Sequence, residues 1–451
     1  MQASSFPWRP LAALLLALAA QTLLEPPARV PAALTLYLLA AGLVIWSFRR
    51  REWTLPSPPP NSQSLITNYQ LPRLLPLLAS IPLLGAAFYL FGENQFTILN
   101  LSLWLAGIVF FLRAFWESKS QREDTKAAKN KLNLRALCGL RGEKITWFIL
   151  LAILLLIAAF FRFYHLNEVP AEPFSDHAEK ILDVYDITQG ETRIFFPRNT
   201  GREAIQFYWT ILVAAIFQTG LSFQSLKSGT ALLGFITLPF IYLLGKEIAN
   251  RRAGLLAMLF AGVAYWPNVI SRIGLRFPLY PLFVAPTLYF LVRGLRTRDR
   301  NDFILSGIFL GFGLHGYSPF RIVPILVLLT ILLYAIRNIA KHPRGTQHIS
   351  RISHLSLWLI ALVIFLPFLR YAISNPDEFW LRSNSRLLTA EGPLPIFFSN
   401  LWNGLLMFNV NDGNTFVNSV VHRPALDVVT GALFVIGLIL LLTRRRFLDL
   451  W

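Results

Sequence analysis

Long apolar segments alternate with short basic segments along almost the whole chain. Most apolar runs approach the roughly 17 to 25 residues that a helix needs to cross the hydrocarbon of a bilayer. They cover residues 10–24, 30–48, 74–92, 94–112, 145–161, 204–223, 229–245, 253–271, 277–292, 303–320, 322–336, 352–369 and 428–443. The pattern predicts an all-α, polytopic integral membrane protein with about 12 to 13 transmembrane helices.

The composition supports this class and excludes others. With 55% hydrophobic and only 15% charged residues, the chain could not cover the surface of a soluble protein. The net charge of +18 comes from Lys and Arg in short segments between apolar runs, which is typical of membrane orientation and not of nucleic-acid binding. The single cysteine, Cys138, excludes a disulfide framework and any multi-cysteine metal site.

Two polar segments interrupt the first third of the chain. Residues 49–69 are rich in Pro and Ser, whereas residues 113–144 carry nine Lys or Arg and four acidic residues and are expected to be cytoplasmic. We therefore divide the chain into two parts. Residues 1–144 are predicted to form a four-span N-terminal module with a basic cytoplasmic linker, and residues 145–451 a second membrane module.

The segment 162–203, which follows the fifth apolar run, is the one long acidic loop, with eight carboxylates against five Lys or Arg. If 113–144 lies inside, this large loop faces the extracytoplasmic side. The later basic turns then also lie inside only if 204–223 does not cross the membrane completely. We expect that segment to be a dipping or interfacial helix.

The same orientation brings segments 271–277 and 315–321 to the outer face, beside the acidic loop. Cations at the headgroup level can hold a lipid phosphate, and a carboxylate can activate an acceptor hydroxyl. In chain order, the sequence carries RFYHL, SDHAEKILDVYDI, GREAIQFYW, SRIGLR and HGYSPFR. This order resembles bacterial glycosyltransferase family 39, a GT-C class family related to the protein O-mannosyltransferases and the aminoarabinose transferase. The resemblance covers about residues 145–445.

The resemblance implies an enzyme that transfers a hexose or pentose from a polyprenyl-phosphate donor. The acceptor would be a lipid, a glycan or a protein on the outer face of the plasma (inner) membrane. Relatives often continue with further spans or a soluble domain, so we expect this chain to be incomplete at its C-terminus.

The resemblance also implies roles for individual residues. Asp176 matches the family's catalytic base, which is usually followed by Glu. His177 stands at the Glu position, so a metal-binding or second-carboxylate role there stays open, as does the use of a divalent metal. Arg202 matches the basic residue that contacts the carrier phosphate. Weaker candidates for the same phosphate are Arg272, Arg276 and Arg321, and those for the sugar pocket are His315 and Tyr317.

Each candidate also has an ordinary structural interpretation. Asp176 could be the N-cap of a helix that starts near Ala178, and the four arginines could be interfacial anchors. His315 and Tyr317 could be packed interfacial residues. Two alternative functions also stay open for the whole chain. It could be a transporter or flippase of lipid-linked sugars, or a non-catalytic membrane subunit.

Overall fold

The computed structural model describes residues 7–52, 71–117, 134–341, 351–387, 392–414 and 420–443. These residues are almost entirely helical, so the predicted all-α, polytopic architecture is confirmed. The α-helices are α1 (Trp8–Thr22), α2 (Val30–Arg49), α3 (Leu74–Leu90), α4 (Ile98–Phe115), α5 (Leu134–Phe163), α6 (Ser175–Thr188), α7 (Ile205–Phe217), α8 (Phe223–Ile248), α9 (Arg251–Val263), α10 (Tyr265–Arg272), α11 (Leu279–Thr297), α12 (Arg300–Gly313), α13 (Val323–Lys341), α14 (Arg351–Ser374), α15 (Pro376–Leu387), α16 (Pro393–Leu406) and α17 (Val428–Thr443). Two 3-10 helices, η1 (Phe91–Glu93) and η2 (Ser318–Ile322), and two strands, β1 (Phe195–Phe196) and β2 (Arg202–Glu203), complete the description.

In the described part of the chain, fewer helices can span a membrane than the sequence predicts. Seven are long and apolar enough, or eight if α9 and α10, which meet at a bend of 56°, form one broken span. The difference arises because several apolar runs fold into short helices. For example, α12 has 14 residues and is therefore about 21 Å long, against a hydrocarbon core of about 30 Å.

Helix α7 lies within the segment that we expect to dip into the membrane. It has 13 residues and ends at Phe217, and the C-cap residue Gln218 adopts a left-handed conformation. Its length of about 20 Å is too short for a complete crossing. The next helix, α8, starts after the N-cap Ser222, whose side chain accepts a hydrogen bond from the Ser225 backbone N–H.

The N-terminal helices pack against the C-terminal part of the chain. Helices α1 and α2 share an apolar cluster with α17, and the buried Gln21 side chain is hydrogen bonded to Tyr37 and Asn409. Helices α3 and α4 pack against α14, where the Trp104 indole donates to the Val363 carbonyl at 2.8 Å. The division at residue 144 stays a prediction, and these contacts join both parts of the chain.

Helix α6 is the amphipathic element that carries the acidic loop's polar residues. Its apolar positions Val184 and Ile187 pack with Phe196 of β1 and Phe207 of α7. The opposite face of the helix is exposed. Helix α6 is thus fixed onto the β1–β2 hairpin, and this packing places its first two turns beside the residues of β2.

Candidate active site

The start of α6 is fixed by His177. Its Nδ1 accepts a hydrogen bond from the Phe174 N–H at 3.1 Å, so Nε2 carries the proton and donates to the Ile273 carbonyl at 2.5 Å. Burial lowers the pKa of His177 below its ordinary value. Both ring nitrogens are therefore engaged by the backbone, and His177 offers no free nitrogen to a metal.

Asp176 lies in the first turn of α6 and is not the helix N-cap, because that position belongs to Phe174. Its carboxylate Oδ1 accepts a hydrogen bond from the Asn199 side-chain amide at 2.7 Å. The side chain is 39% exposed. Asp176 is thus held by a neutral amide and remains open to an acceptor from the aqueous side.

Arg202, the first residue of β2, lies at the centre of a carboxylate cluster on α6. Its side chain is only 2% exposed. One guanidinium nitrogen donates to Asp183 Oδ2 at 3.0 Å, and another contacts Glu179 and lies 3.9 Å from Asp176 Oδ1. Burial raises the pKa of Asp183 above its ordinary value, although Arg202 and Arg198 oppose that shift. The Arg202 fork thus faces carboxylates of the protein itself.

The turn between β1 and β2 places Asn199 against Asp176. Asn199, Thr200 and Gly201 have φ values of 48°, 62° and 89° in succession. A side chain at Gly201 would overlap the Phe195 ring, so this position needs glycine for space as well as for its positive φ. Arg382 of α15 donates to the Asn199 carbonyl at 3.4 Å and to Thr200 Oγ1 at 3.3 Å, which ties α15 to the same turn.

Glu203 forms a second buried centre next to Arg202. Its carboxylate accepts hydrogen bonds from Arg276 at 2.5 Å and from the Ser318 hydroxyl at 2.8 Å. Arg321 lies 3.5 Å from the same carboxylate and donates to the Phe379 carbonyl at 3.1 Å. Glu203 thus joins β2 to the α10–α11 loop and to η2, and brings together two segments that the sequence assigns to the outer face.

Lys180 is a buried cation one turn after Asp176. Its side chain is buried, and its ammonium donates to the Asp176 backbone carbonyl at 2.9 Å. Among the described residues, this is its one hydrogen bond. Burial, and then the nearby charge of Arg202, lower the pKa of Lys180 to about 7, with a further contribution from Arg276. The Lys180 ammonium therefore keeps N–H donors that are not used within the described residues, and other buried cations lie nearby. Such a group can bind an anion.

An apolar cavity of about 590 Å³ lies between the helices. Its walls come from α8, α10, α11, η2 and the segment after α16, with Arg162 of α5 and Ala261 of α9 also among the lining residues. Tyr317 also lines it, and the Arg276 guanidinium lies 5.5 Å from the Tyr317 ring centre. The cavity is large enough for part of a lipid chain, and one cation, Arg162, lines it while a second, Arg276, lies against its wall at Tyr317.

The remaining sequence candidates have other surroundings. Arg272 donates to the backbone carbonyls of Phe161, Tyr164 and Val169, at the C-terminal end of α5. His315 Nε2 donates to the Ile364 carbonyl at 3.0 Å, and its ring packs among aromatic rings. Burial lowers the pKa of His315 to about 4. The structure thus brings Asp176, Arg202, Arg276 and Arg321 into one region and places Arg272 and His315 in supporting contacts.

The described residues contain no group of three or more His, Cys, Asp or Glu side chains that could hold a metal ion. The acidic cluster on α6 has arginine partners instead. The sequence analysis left the use of a divalent metal open, and the arrangement of the described side chains does not favour it.

Comparison with protein families identifies the relatives of this central region. Residues 203–371 match the family model of dolichyl-phosphate-mannose-protein mannosyltransferases. The match confirms the resemblance to a GT-C, family 39-like membrane glycosyltransferase and indicates an enzyme that uses a polyprenyl-phosphate sugar donor. It begins at Glu203, so α6 and Asp176 lie outside the matched segment. Neither a curated protein nor a solved structure matches the chain.

Four residues of the region were not singled out in the sequence, namely Glu179, Lys180, Asn199 and Glu203. Glu179 lies three residues after Asp176, a spacing that puts both on one helical face. Asn199 precedes a Gly in the run RNTGRE, which is typical of a tight turn. Lys180 lies four residues after Asp176, a spacing that also puts both on one helical face. No local pattern marks Glu203, because its importance depends on contacts with distant segments.

Proposed function

We propose that this protein transfers one sugar, with inversion, from a polyprenyl-phosphate donor to an acceptor on the extracytoplasmic face of the plasma (inner) membrane. One observation carries the proposal. A half-exposed carboxylate, Asp176, lies one helical turn before the buried cation Lys180, whose pKa is lowered by burial and also by the charge of the buried Arg276. Arg276 in turn lies 5.5 Å from the ring of Tyr317, which lines an apolar cavity. Such an arrangement suits a substrate that has a lipid chain, a phosphate and a reacting sugar carbon in that order.

Asp176 is the general base in this proposal. It removes the proton from the acceptor hydroxyl while the oxygen attacks the anomeric carbon, and the bond from that carbon to the phosphate oxygen breaks. Asn199 orients the carboxylate with its amide N–H at 2.7 Å and leaves the second oxygen for the acceptor. Helix α6 supports this position because His177 fixes its first turn.

Lys180 and Arg276 stabilise the departing lipid phosphate. One guanidinium nitrogen of Arg276 donates a hydrogen bond to Glu203, and its other N–H groups have no hydrogen-bond partner among the described residues. Lys180 has donors to spare for the same reason. As negative charge develops on the leaving phosphate, two cations already desolvated by the protein stabilise it without reorganisation.

Arg202, Arg321 and Arg272 serve the site indirectly in this proposal. Arg202 holds the carboxylates of α6 in place, Arg321 supports Glu203, and Arg272 stabilises the end of α5. The lipid chain of the donor occupies the cavity, and Tyr317 lies where the chain meets the phosphate.

The test uses the purified protein with a panel of radiolabelled polyprenyl-phosphate sugars and measures release of the free carrier phosphate. Asp176→Asn keeps the side-chain shape but removes the base, so turnover should fall by roughly 10² to 10⁴ while donor binding persists. The matched control is Asp186→Asn on the same helix, because Asp186 pairs with the 40%-exposed Arg198 and not with Arg202 or Asn199. Near-normal turnover of a folded Asp176→Asn protein contradicts the assignment.

A further inference from the structure

Helix α16 has an exposed apolar face that the proposed reaction does not use. Six large apolar side chains recur at spacings of three and four residues, and each is 48% to 67% exposed. They are Leu394, Phe397, Phe398, Leu401, Trp402 and Leu405. The polar residues Ser399, Asn400 and Asn403 fall on the other side of the helix. A soluble surface does not leave such a face uncovered.

The length of α16 excludes a crossing. Its 14 residues span about 21 Å, whereas the hydrocarbon core is about 30 Å thick. No residue from 393 to 408 is charged. An amphipathic helix of this kind is suited to lie in the plane of the membrane, at the boundary between headgroups and acyl chains.

Neighbouring elements on both sides of α16 in the chain are attached to the body of the protein. Before it, Arg382 of α15 contacts the turn that holds Asn199. After it, the Met407 and Phe408 carbonyls accept hydrogen bonds from the backbone N–H groups of Ala425 and Leu426, at 2.9 and 3.0 Å. The C-terminal end of α16 is thus attached through backbone hydrogen bonds, and α15 is attached to the turn at the candidate site.

The two residues that follow α16 line the apolar cavity. Met407 and Phe408 form part of its wall, and Phe408 also stacks on Phe434 of α17 at 5.5 Å. The apolar face of α16 is therefore continuous in sequence with the wall of the cavity.

We propose that α16 is an interfacial helix inserted into the bilayer leaflet on the site's face, and that it forms the lateral entrance to the cavity. The occupant of its apolar face is the acyl region of membrane lipid. The absence of charge on α16 means that insertion depends on apolar contact and not on anionic headgroups. The entrance role rests on the proposed function, whereas the insertion does not.

Insertion is tested with a nitroxide attached to single cysteines after replacement of Cys138 by Ser, in phosphatidylcholine proteoliposomes. Leu401→Cys on the apolar face should be more accessible to oxygen than to a water-soluble nickel complex. The matched control Asn403→Cys, on the polar side of the same helix, should show the reverse. Added phosphatidylglycerol should leave both values unchanged.

Two outcomes would overturn the insertion. High nickel accessibility at Leu401 would place the face in water, and low accessibility to both reagents would show that a second copy or another protein covers it. This measurement needs no transfer activity, so it can fail independently of the proposed function. The entrance role is tested by Leu401→Glu, which should raise KM for a long-chain donor several-fold and leave kcat and a short, water-soluble donor unaffected. Unchanged KM for both donors would overturn the entrance role.

Discussion

Arg202 could bind either the carrier phosphate or the carboxylates of α6, and the variant Arg202→Lys distinguishes these two roles. The sequence resemblance assigns Arg202 to the carrier phosphate, whereas its contacts assign it to the carboxylates of α6. Lysine keeps the charge but cannot donate from two nitrogens to two carboxylates at once. At least one charge-assisted hydrogen bond to a buried acid is then lost.

The size of the effect follows from the burial of the partners. Asp183 is 1% exposed, and Arg202 is 2% exposed. A hydrogen bond to a charged group contributes about 1.5 to 3 kcal/mol, so Arg202→Lys should lower the free energy of unfolding by about that amount. Turnover should also fall because Asp176 and Glu179 lose their common neighbour. Donor affinity should change little.

Arg198→Lys is the matched control. Arg198 donates to Asp183 at 2.9 Å and to Asp186 at 2.6 Å, but its side chain is 40% exposed. Solvent reaches the Arg198 guanidinium and screens its pairs, which then contribute at most about 1 kcal/mol, and lysine keeps the charge, so the control should be close to neutral. Unfolding in denaturing detergent gives the stability, and titration with a fluorescent donor analogue gives the dissociation constant. Unchanged stability together with donor affinity weakened roughly tenfold would refute the reasoning and return Arg202 to the phosphate.

Two further outcomes follow from the contacts of the site. The pKa of Lys180 is lowered to about 7, so its protonated fraction falls as the pH rises through that value. Donor affinity should therefore be constant below about pH 7 and weaken by up to roughly tenfold per pH unit above it. Lys180→Arg should flatten that dependence in the same binding titration, and an unchanged slope would exclude Lys180 from the phosphate. Gly201→Ala places a methyl group against Phe195 at a φ of 89°. It should displace Asn199 and lower kcat by more than it changes donor affinity, and an unaltered kcat would show that the turn does not position the base.

The general architecture could be predicted from the sequence because apolar length is a local property. The alternation of apolar and basic segments is sufficient to predict a polytopic helical protein. The number of spans could not be obtained in the same way. The run 303–320 reads as a single span, but in the structure α12 ends at Gly313 and η2 begins at Ser318. Such breaks depend on packing between helices, which hydropathy does not report.

The sequence predicts a location for the candidate site but not its connections. Charge alone predicts that the acidic loop and the arginines of segments 271–277 and 315–321 lie on one membrane face, and that face stays a prediction. The pairing of arginines with carboxylates depends on the β1–β2 turn and on Glu203. The hydrogen-bond partners of Glu203, Arg276 and Ser318, lie 73 and 115 residues further along the chain. Helical spacing places Asp176 and Glu179 together, yet it cannot show that Arg202 joins them from a strand.

The buried cations Arg162 and Lys227 bear on the alternative function of transport. A pathway for a charged headgroup would need polar side chains that change partners along the spans. Arg162 instead bonds to the Ala261 carbonyl and to Asn268 at the bend between α9 and α10. Lys227 donates to the carbonyls of Asn167 and Pro170, just beyond the end of α5. Backbone carbonyls at a helix end or a helix break are fixed acceptors, so these charges stabilise the local fold. A transport pathway would have to use the same residues for a second purpose, whereas the enzymatic proposal uses Lys180 and Arg276, which retain donors for a substrate.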